Sequence, residues 1–595
     1  MSVTTPRGSS GTSLDGVELA VIANRFEGIV RWMRSTLVRT GRSGVLNTAY
    51  DFSCCVLSRD DELLAMAESL PIHLISGPDL MAASMKSFWP KLSSGDAFLH
   101  NSPYHGNSHA ADHSILVPVI DDDGVHHFTV LAKAHMADCG NSIPTTYMSA
   151  ARDVYEEGAL IFPCVKVQSG YRDVEDVIRM CEMRVRAPEQ WWGDHLAVLG
   201  AARVGERRIL ELGDELGWDA LHAFGRGWLD YSEQRMTAAV AALPAGKITV
   251  TTAHDPFPRV PDGIPVNVTV EVKPDEQRIE IDLRDNIDCQ PCGLNLSEAT
   301  ARTAAMTGLF NGIDHTVPAN AGSFRRVTVH LRENCVVGIP RHPASCSIAT
   351  TNVADRVGNA VQRALAELAD GIGLAEVGLS QPISAAVISG RDPRASESVF
   401  INQLMLAMSS GGAGPEADGW LGGGCVGNGG VLRMDSVEVD EIKHPIRVTA
   451  MRIIKDTEGA GRHRGGPSCY VEYGPVGCEI EVIWSTDGTI GAAEGARGGG
   501  SGGRARTLLR RSSGEVEALP SYGSLILRPG ETVVSYSCGG GGYGDPRERA
   551  VEAVATDVHE GWVSRDRARE VYGVVAGESG VIDQDATAAL RGATP

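Results

Sequence analysis

The chain has 595 residues, too many for one ordinary core, so two or three large modules are expected. Its 54 basic against 75 acidic side chains leave a formal charge of −21, which argues against nucleic acid as the main partner. No run reaches the roughly 18 apolar residues needed to span a bilayer, and the polar opening MSVTTPRGSSGTSLDG lacks a signal-peptide core, so a cytoplasmic protein with no membrane partner is expected.

From Asp15 to about Thr40, apolar residues including Leu19, Ile22, Phe26, Ile29, Val30 and Met33 fall at helical spacing, which predicts a helix. YDFSCCVLS reads as a strand, with DDELLAMAES as turn and return strand. PDLMAASMKSFWPKL reads as a helix opened by Pro78 and Asp79. DAFLHN, SILVPVI and HFTVLAKAH are three short strands, the last two joined by a hairpin turn at DDDG, 121–124. A long helical stretch runs from about Val174 to Ala241. Beyond LPAGK, the segments ITVTTAHD, VNVTVEVKP, RIEIDLRD and RRVTVHL alternate apolar and polar residues as half-buried strands do. A helix at about 353–371 follows.

From about 400 to 545 the chain is rich in glycine and prone to strands, at 446–455, 469–473, 478–484 and 530–537. Two short helices come next, with Asp545 as cap and Pro546 in the first position. The fold class is α/β in the α+β sense, multi-domain. The expected division is a mixed α/β region at 16–243 that carries the candidate site, a mixed β/α region at 244–400, a glycine-rich β region at 401–545, C-terminal helices at 546–575 and a flexible tail at 576–595.

The densest ligand chemistry lies in NSPYHGNSHAADHS, 101–114, with His105, His109, Asp112 and His113. His109 and Asp112 form H-x-x-D, and His135 opens the same spacing with Asp138 in HMAD. If the strands flanking DDDG pair, the ends carrying both motifs meet at one edge of the sheet. Two imidazoles with carboxylates suit Zn²⁺, Mn²⁺ or Fe²⁺ better than Ca²⁺ or Mg²⁺; capping or turn histidines are the plainer reading of the same residues.

The thirteen cysteines are odd in number and irregularly spaced, as expected of reduced, buried thiols. Cys289 and Cys292 form a C-x-x-C without a second pair, which reads as a loop. Cys139, beside HMAD, reads as a small buried filler rather than a nucleophile. The glycine runs, GGGGYGDP among them, lack the Lys-Ser/Thr ending of a phosphate loop and read as close backbone packing or a subunit interface.

NSPYHGNSHAADHSILVPV, AKAHMADCGN, YEEGALIFPCVKV, RVRAPEQWWGDHLAVLGAARVGERRILEL, GAGRHRGG and GGGGYGDPRERAVEAVATDVHEGWVSRDRAREVYGV resemble, in order, the signatures of the hydantoinase B/oxoprolinase family. The resemblance runs from about residue 16 to 575. That family includes the B subunits of ATP-dependent N-methylhydantoinase and caprolactamase, and the metal-bearing subunits of acetone and acetophenone carboxylases.

The resemblance implies one divalent metal, zinc first with manganese or iron as alternatives, held by Asp51, His109, Asp112 and His135. Spacing alone does not mark Asp51. His105 and His113 have no ligand role in that pattern. Asp138 becomes a candidate to orient His135, and Glu157 of YEEG a candidate general base or substrate-orienting group. ATP with Mg²⁺ is implied on a separate hydantoinase A-type ATP-binding subunit, hence a hetero-oligomer.

The function so implied is that of the metal-bearing B-type component of an ATP-dependent cyclic amidase. It would hydrolyse a C–N bond in a hydantoin, lactam or oxoproline phosphorylated on the partner. A ketone carboxylase component and a non-catalytic scaffold are the alternatives. The chain departs from the family pattern at Asn101-Ser102-Pro103, where N-D-P is usual, at Asn107, where a glycine is usual, and at DCGN, where D-I-G-G is usual.

Overall fold

A computed structural model describes residues 14–577 and 580–592. Asp15 caps helix α1 (Gly16–Thr40) in a reciprocal arrangement with Glu18, which satisfies two otherwise orphaned donors of the first turn. Strands β1 (Phe52–Ser58), β2 (Leu63–Met66), β3 (Ala97–His100), β4 (Asp112–Ile120), β5 (His126–His135), β6 (Val165–Ser169) and β7 (Arg172–Asp173) form one sheet, in the order β2-β1-β5-β4-β3-β6-β7. All its pairings are antiparallel.

β4 and β5 are buried on both faces, which is why they read as continuous apolar runs rather than alternating ones. One face, with Phe52, Cys54, Val56, Val117 and Val130, packs on α1 and on a later long helix. The other face, with Cys55, Leu57, Leu116 and Leu131, is covered by Met81, Ala82 and Met85 of helix α2 (Pro78–Phe88), which Pro78 opens.

The helical stretch expected from Val174 to Ala241 divides into α3 (Glu175–Glu182), α4 (Pro188–Leu216) and α5 (Trp218–Ala241). Pro188 sits in the first turn of α4, where its missing N–H costs nothing. Gly217, at φ +84°, ends α4 and lets α5 begin at once. The four alternating segments that follow form a second sheet of Gly246–His254, Ile264–Lys273, Arg278–Asp282 and Val327–His330, the last pair parallel. Helices α6 (Glu298–Phe310) and α7 (Val353–Leu368) share its core. α6 escapes sequence reading because alanine, threonine and glycine fill it and it is buried nearly all round, so no apolar stripe marks it.

Two further sheets occupy the glycine-rich part. One has four strands, drawn from Val387–Asp392, Ser398–Gln403, Ile480–Ser485 and Tyr522–Leu527; the other has five, including Ile446–Ile453, Cys469–Pro475 and Thr532–Tyr536. The glycine runs lie backbone on backbone. Gly540 N–H donates to Gly466 O, Gly459 N–H to Gly540 O and Gly542 N–H to Gly500 O. A Cβ on Gly540 would stand 2.0 Å from Gly411 O. Close backbone packing is therefore what these glycines make possible.

Asp545 and Pro546 do open a turn, with Asp545 Oδ1 accepting from Arg547 N–H, but it is the short 3-10 segment Pro546–Glu548; the expected helices are Val551–His559 and Arg565–Glu570. The segment expected to be a loose tail contains a helix, Gln584–Gly592. Its Arg591 guanidinium donates to the Arg549 and Tyr572 carbonyls, a polar anchorage that leaves no apolar signature.

Candidate metal centre

β1, β5 and β4 are neighbours in the sheet, and their ends bring distant parts of the chain together. Asp112 opens β4 directly opposite His135, the last residue of β5. Across the other edge of β5, His135 N–H donates to the carbonyl of Asp51, just before β1, at 3.0 Å. The hairpin at 121–124 fixes this register, so the ends meet as the strand reading required. His109 sits in the turn before β4, where Asp112 N–H donates back to its carbonyl.

His109, Asp112 and His135 are buried and offer donor atoms that all lie within 4.8 Å of one another. Asp112 Oδ1 is 3.0 Å from His109 Nε2 and 3.2 Å from His135 Nδ1. His109 Nδ1 is 2.7 Å from the Ser347 carbonyl. A carbonyl only accepts, so Nδ1 carries a ring hydrogen, and Nε2 is the nitrogen that faces Asp112. His135 Nε2 lies 3.0 Å from Thr146 Oγ1, and the Tyr147 ring stacks on the His135 ring with centroids 5.3 Å apart.

The other oxygen of Asp112, Oδ2, accepts from Ser108 Oγ and stands 3.3 Å from His73 Nε2. His73 Nε2 in turn lies 3.6 Å from Asp51 Oδ1. Asp51, His73 and His135 line a cavity of about 30 Å³ together with Tyr147, Met405 and Cys425. Ser108 is itself held by Lys133 Nζ at 3.3 Å.

The electrostatics separate the two acids. Burial raises the Asp51 carboxyl, with His135 and His73 pulling against it. Burial acts the same way on Asp112, but His109 and His73 outweigh it and hold that carboxyl well below its usual range. For His109, burial lowers the pKa and the Asp112 carboxylate more than restores it, so the net shift is upward. Burial pulls the fully enclosed Lys133 ammonium down to about 8, with Asp112 pulling up. A locus with two buried carboxylates and converging imidazoles is chemically suited to a divalent cation.

Other candidates fall elsewhere. His105 bonds to Ser102 Oγ and packs edge-on to Phe88. His113 points to the opposite face of β4, between Phe162 and Trp191. Asp138 accepts from Gly140 N–H and pairs with Arg186, so Thr146, not Asp138, contacts His135. Cys139 is buried, donates to Asn141 Oδ1, and burial pushes its thiol pKa well up, as a filler requires. The Cys289–Cys292 pair is free, with Cys289 directed at the Cys335 carbonyl.

Glu157 is 3% exposed and accepts from Ser345 Oγ at 2.6 Å, two residues from the Ser347 carbonyl that receives His109. Burial raises its pKa while Ser345 and His109 oppose the rise. His73 and Lys133 went unmarked in the sequence. PIHLIS gives a single histidine in an apolar context, and AKAH looks like an ordinary strand with an outward lysine.

The profile for Hydantoinase B/oxoprolinase matches residues 15–546. The chain belongs to the hydantoinase B/oxoprolinase family. It is similar to the beta chain of the Pseudomonas jessenii caprolactamase, 30% identical over 98% of this chain and 100% of that one. The B chain of a putative D-/L-hydantoinase from Pseudomonas sp. (strain NS671) is 27% identical over 97% of this chain and 98% of its own length. The 5-oxoprolinase of Saccharomyces cerevisiae is 24% identical over 90% of this chain, and the match spans 42% of its own length.

Among solved structures, the ATP-dependent caprolactamase from Pseudomonas jessenii has a TM-score of 0.88 at 28% identity, covering 98% of this chain and 100% of that chain. Nucleotide-free acetone carboxylase has a TM-score of 0.85 at 17% identity, covering 97% and 82%, a likeness of fold. No helix among the described residues is long and apolar enough to cross a membrane.

Proposed function

We propose that this chain is the metal-bearing B-type component of an ATP-dependent cyclic amidase, which hydrolyses a C–N bond of a lactam, hydantoin or oxoproline. The observation that carries the reading is the buried cluster of His109, Asp112 and His135 at the ends of β4 and β5, in a family member that aligns with the whole of a caprolactamase beta chain. Asp51, across β5 from it, lies outside that three-donor cluster and is drawn in by the family resemblance. Asp51, His109, Asp112 and His135 hold one divalent ion, zinc in the first place. That ion supplies Lewis-acid polarisation of a carbonyl or activation of a water.

The residues do the rest. The Ser347 carbonyl fixes the His109 tautomer, Ser108 and Lys133 hold Asp112, and Tyr147 and Thr146 fix the His135 ring. Glu157, behind His109, acts as a positioning group through the 345–347 segment. ATP and its Mg²⁺ belong to a separate A-type subunit, where phosphorylation of the amide oxygen makes the carbonyl carbon more electrophilic.

The test is to co-purify the chain with an A-type ATP-binding subunit and measure ATP turnover. Stimulation by a lactam or hydantoin without bicarbonate is expected. Turnover that appears only with a ketone and bicarbonate would overturn the amidase reading in favour of carboxylation.

A further inference from the structure

One polar side chain in the wall of the cavity has no task in the metal reading. Asn428 closes the 3-10 turn Val426–Asn428 and is 2% exposed. It borders the same cavity as Asp51, His73 and His135. Its Oδ1 accepts from Gly430 N–H at 3.2 Å. That contact fixes the orientation of the amide, since the reversed amide would set two donors against each other. The other end, Nδ2, is buried and has no acceptor among the described residues. Gly424 leaves that end uncovered, for a Cβ there would stand 2.5 Å from Nδ2. A buried amide nitrogen with unused hydrogens costs stability, so the position calls for an acceptor from outside the chain.

We propose that Asn428 is a substrate-binding residue whose Nδ2 donates a hydrogen bond to the oxygen of the carbonyl under attack. This rests on the cyclic amidase reading given under the proposed function. The cavity offers about 30 Å³, room for a water or two, so an oxygen lodged there lies within reach of both Asn428 and His135. His135 is one of the three clustered donors, which brings the amide N–H and the candidate centre to the same oxygen. Negative charge builds on that oxygen as water adds to the carbonyl carbon, and a fixed N–H aimed at it binds the transition state more strongly than the ground state. A neutral amide also suits the place, because a lysine or arginine there would repel a cation at the cluster. Leu70, Ile72, Met405 and Met408 supply apolar wall beside it, which suits the ring carbons of a small cyclic amide.

The test uses the chain co-purified with its A-type subunit, with ε-caprolactam and hydantoin as probes and ring opening followed directly. Asn428→Ala removes the donor, whereas Asn428→Asp keeps an acceptor for Gly430 N–H but offers no donor. Both variants should keep stoichiometric metal, and both should lower kcat about a hundred- to a thousandfold with KM little changed. Native kcat and KM in both would overturn the assignment, as would a change in KM alone. Activity lost in Asn428→Ala but kept in Asn428→Asp would make Asn428 a brace for its turn and overturn it too. A native complex that opens neither ring overturns the amidase reading itself, and this assignment with it.

Discussion

Asp112 is the residue on which the centre turns, because each of its oxygens meets imidazole and because Ser108, itself held by Lys133, pins it from behind. Glu157 stands one step further out. Glu157→Gln keeps the shape and the Ser345 contact but removes the charge behind His109. It should retain metal and lower kcat/KM about tenfold, a loss of about 1.4 kcal/mol in transition-state stabilisation. Metal analysis alongside steady-state kinetics checks both halves, and a variant that loses its metal would make Glu157 part of the site itself.

At this scale legibility was uneven. His109, Asp112 and His135 were legible because the H-x-x-D spacing and the hairpin together predict convergence. Asp51 came from resemblance alone. His73 and Lys133 were hidden, since a lone histidine in an apolar turn and an alternating lysine have no pattern of their own.

Elements were most legible where a turn or cap announced them, as with α1, α2 and the β4–β5 hairpin. They were least legible where burial was complete: α6 has no polar face to set off an apolar one. Two elements of the later sheets permit direct tests. Arg356 of α7 is paired with Asp487, which follows strand Ile480–Ser485, at 2.8 Å, both almost fully buried. Burial alone would raise the Asp487 carboxyl, but Arg356 outweighs it and holds the pKa at about 2, against an ordinary 3.8.

A folded-state pKa below the unfolded one contributes stability that is complete above about pH 4 and lost as pH falls toward about 2. The shift corresponds to about 2 kcal/mol. Asp487→Asn should remove that part of the acid sensitivity and, by leaving Arg356 only its 3.9 Å pair with Asp255, cost about 3 kcal/mol at neutral pH. Denaturation followed from about pH 2 to 7 reads both; an unchanged acid limb would contradict the pairing argument. In the glycine lattice, Gly540→Ala places a methyl group against the Gly411 carbonyl. It should lower the unfolding temperature markedly, whereas Gly498→Ala, where a Cβ meets nothing within 4 Å but φ is +89°, should cost about 1 kcal/mol.

For the whole molecule, the sheet that carries the centre also sets how exposed the chemistry is. The cavity at Asp51, His73 and His135 offers only about 30 Å³ of water-accessible space, room for a water or two. A cyclic amide therefore reaches the centre only with movement of the surrounding walls, which include Tyr147, Met405 and Cys425 from widely separated segments. Substrate and the A-type subunit together should consequently slow hydrogen exchange around residues 405–432 more than either does alone. Equal protection by each separately would place the entry elsewhere.

The central claim is that the ends of three adjacent strands and one preceding turn hold a single ion. Elemental analysis of the purified full-length chain, after loading and gel filtration, tests it most directly. One divalent ion per chain is predicted, falling below about a tenth in both Asp112→Asn and His109→Ala. A native chain without metal, or an Asp112→Asn chain that keeps it in full, would contradict the account.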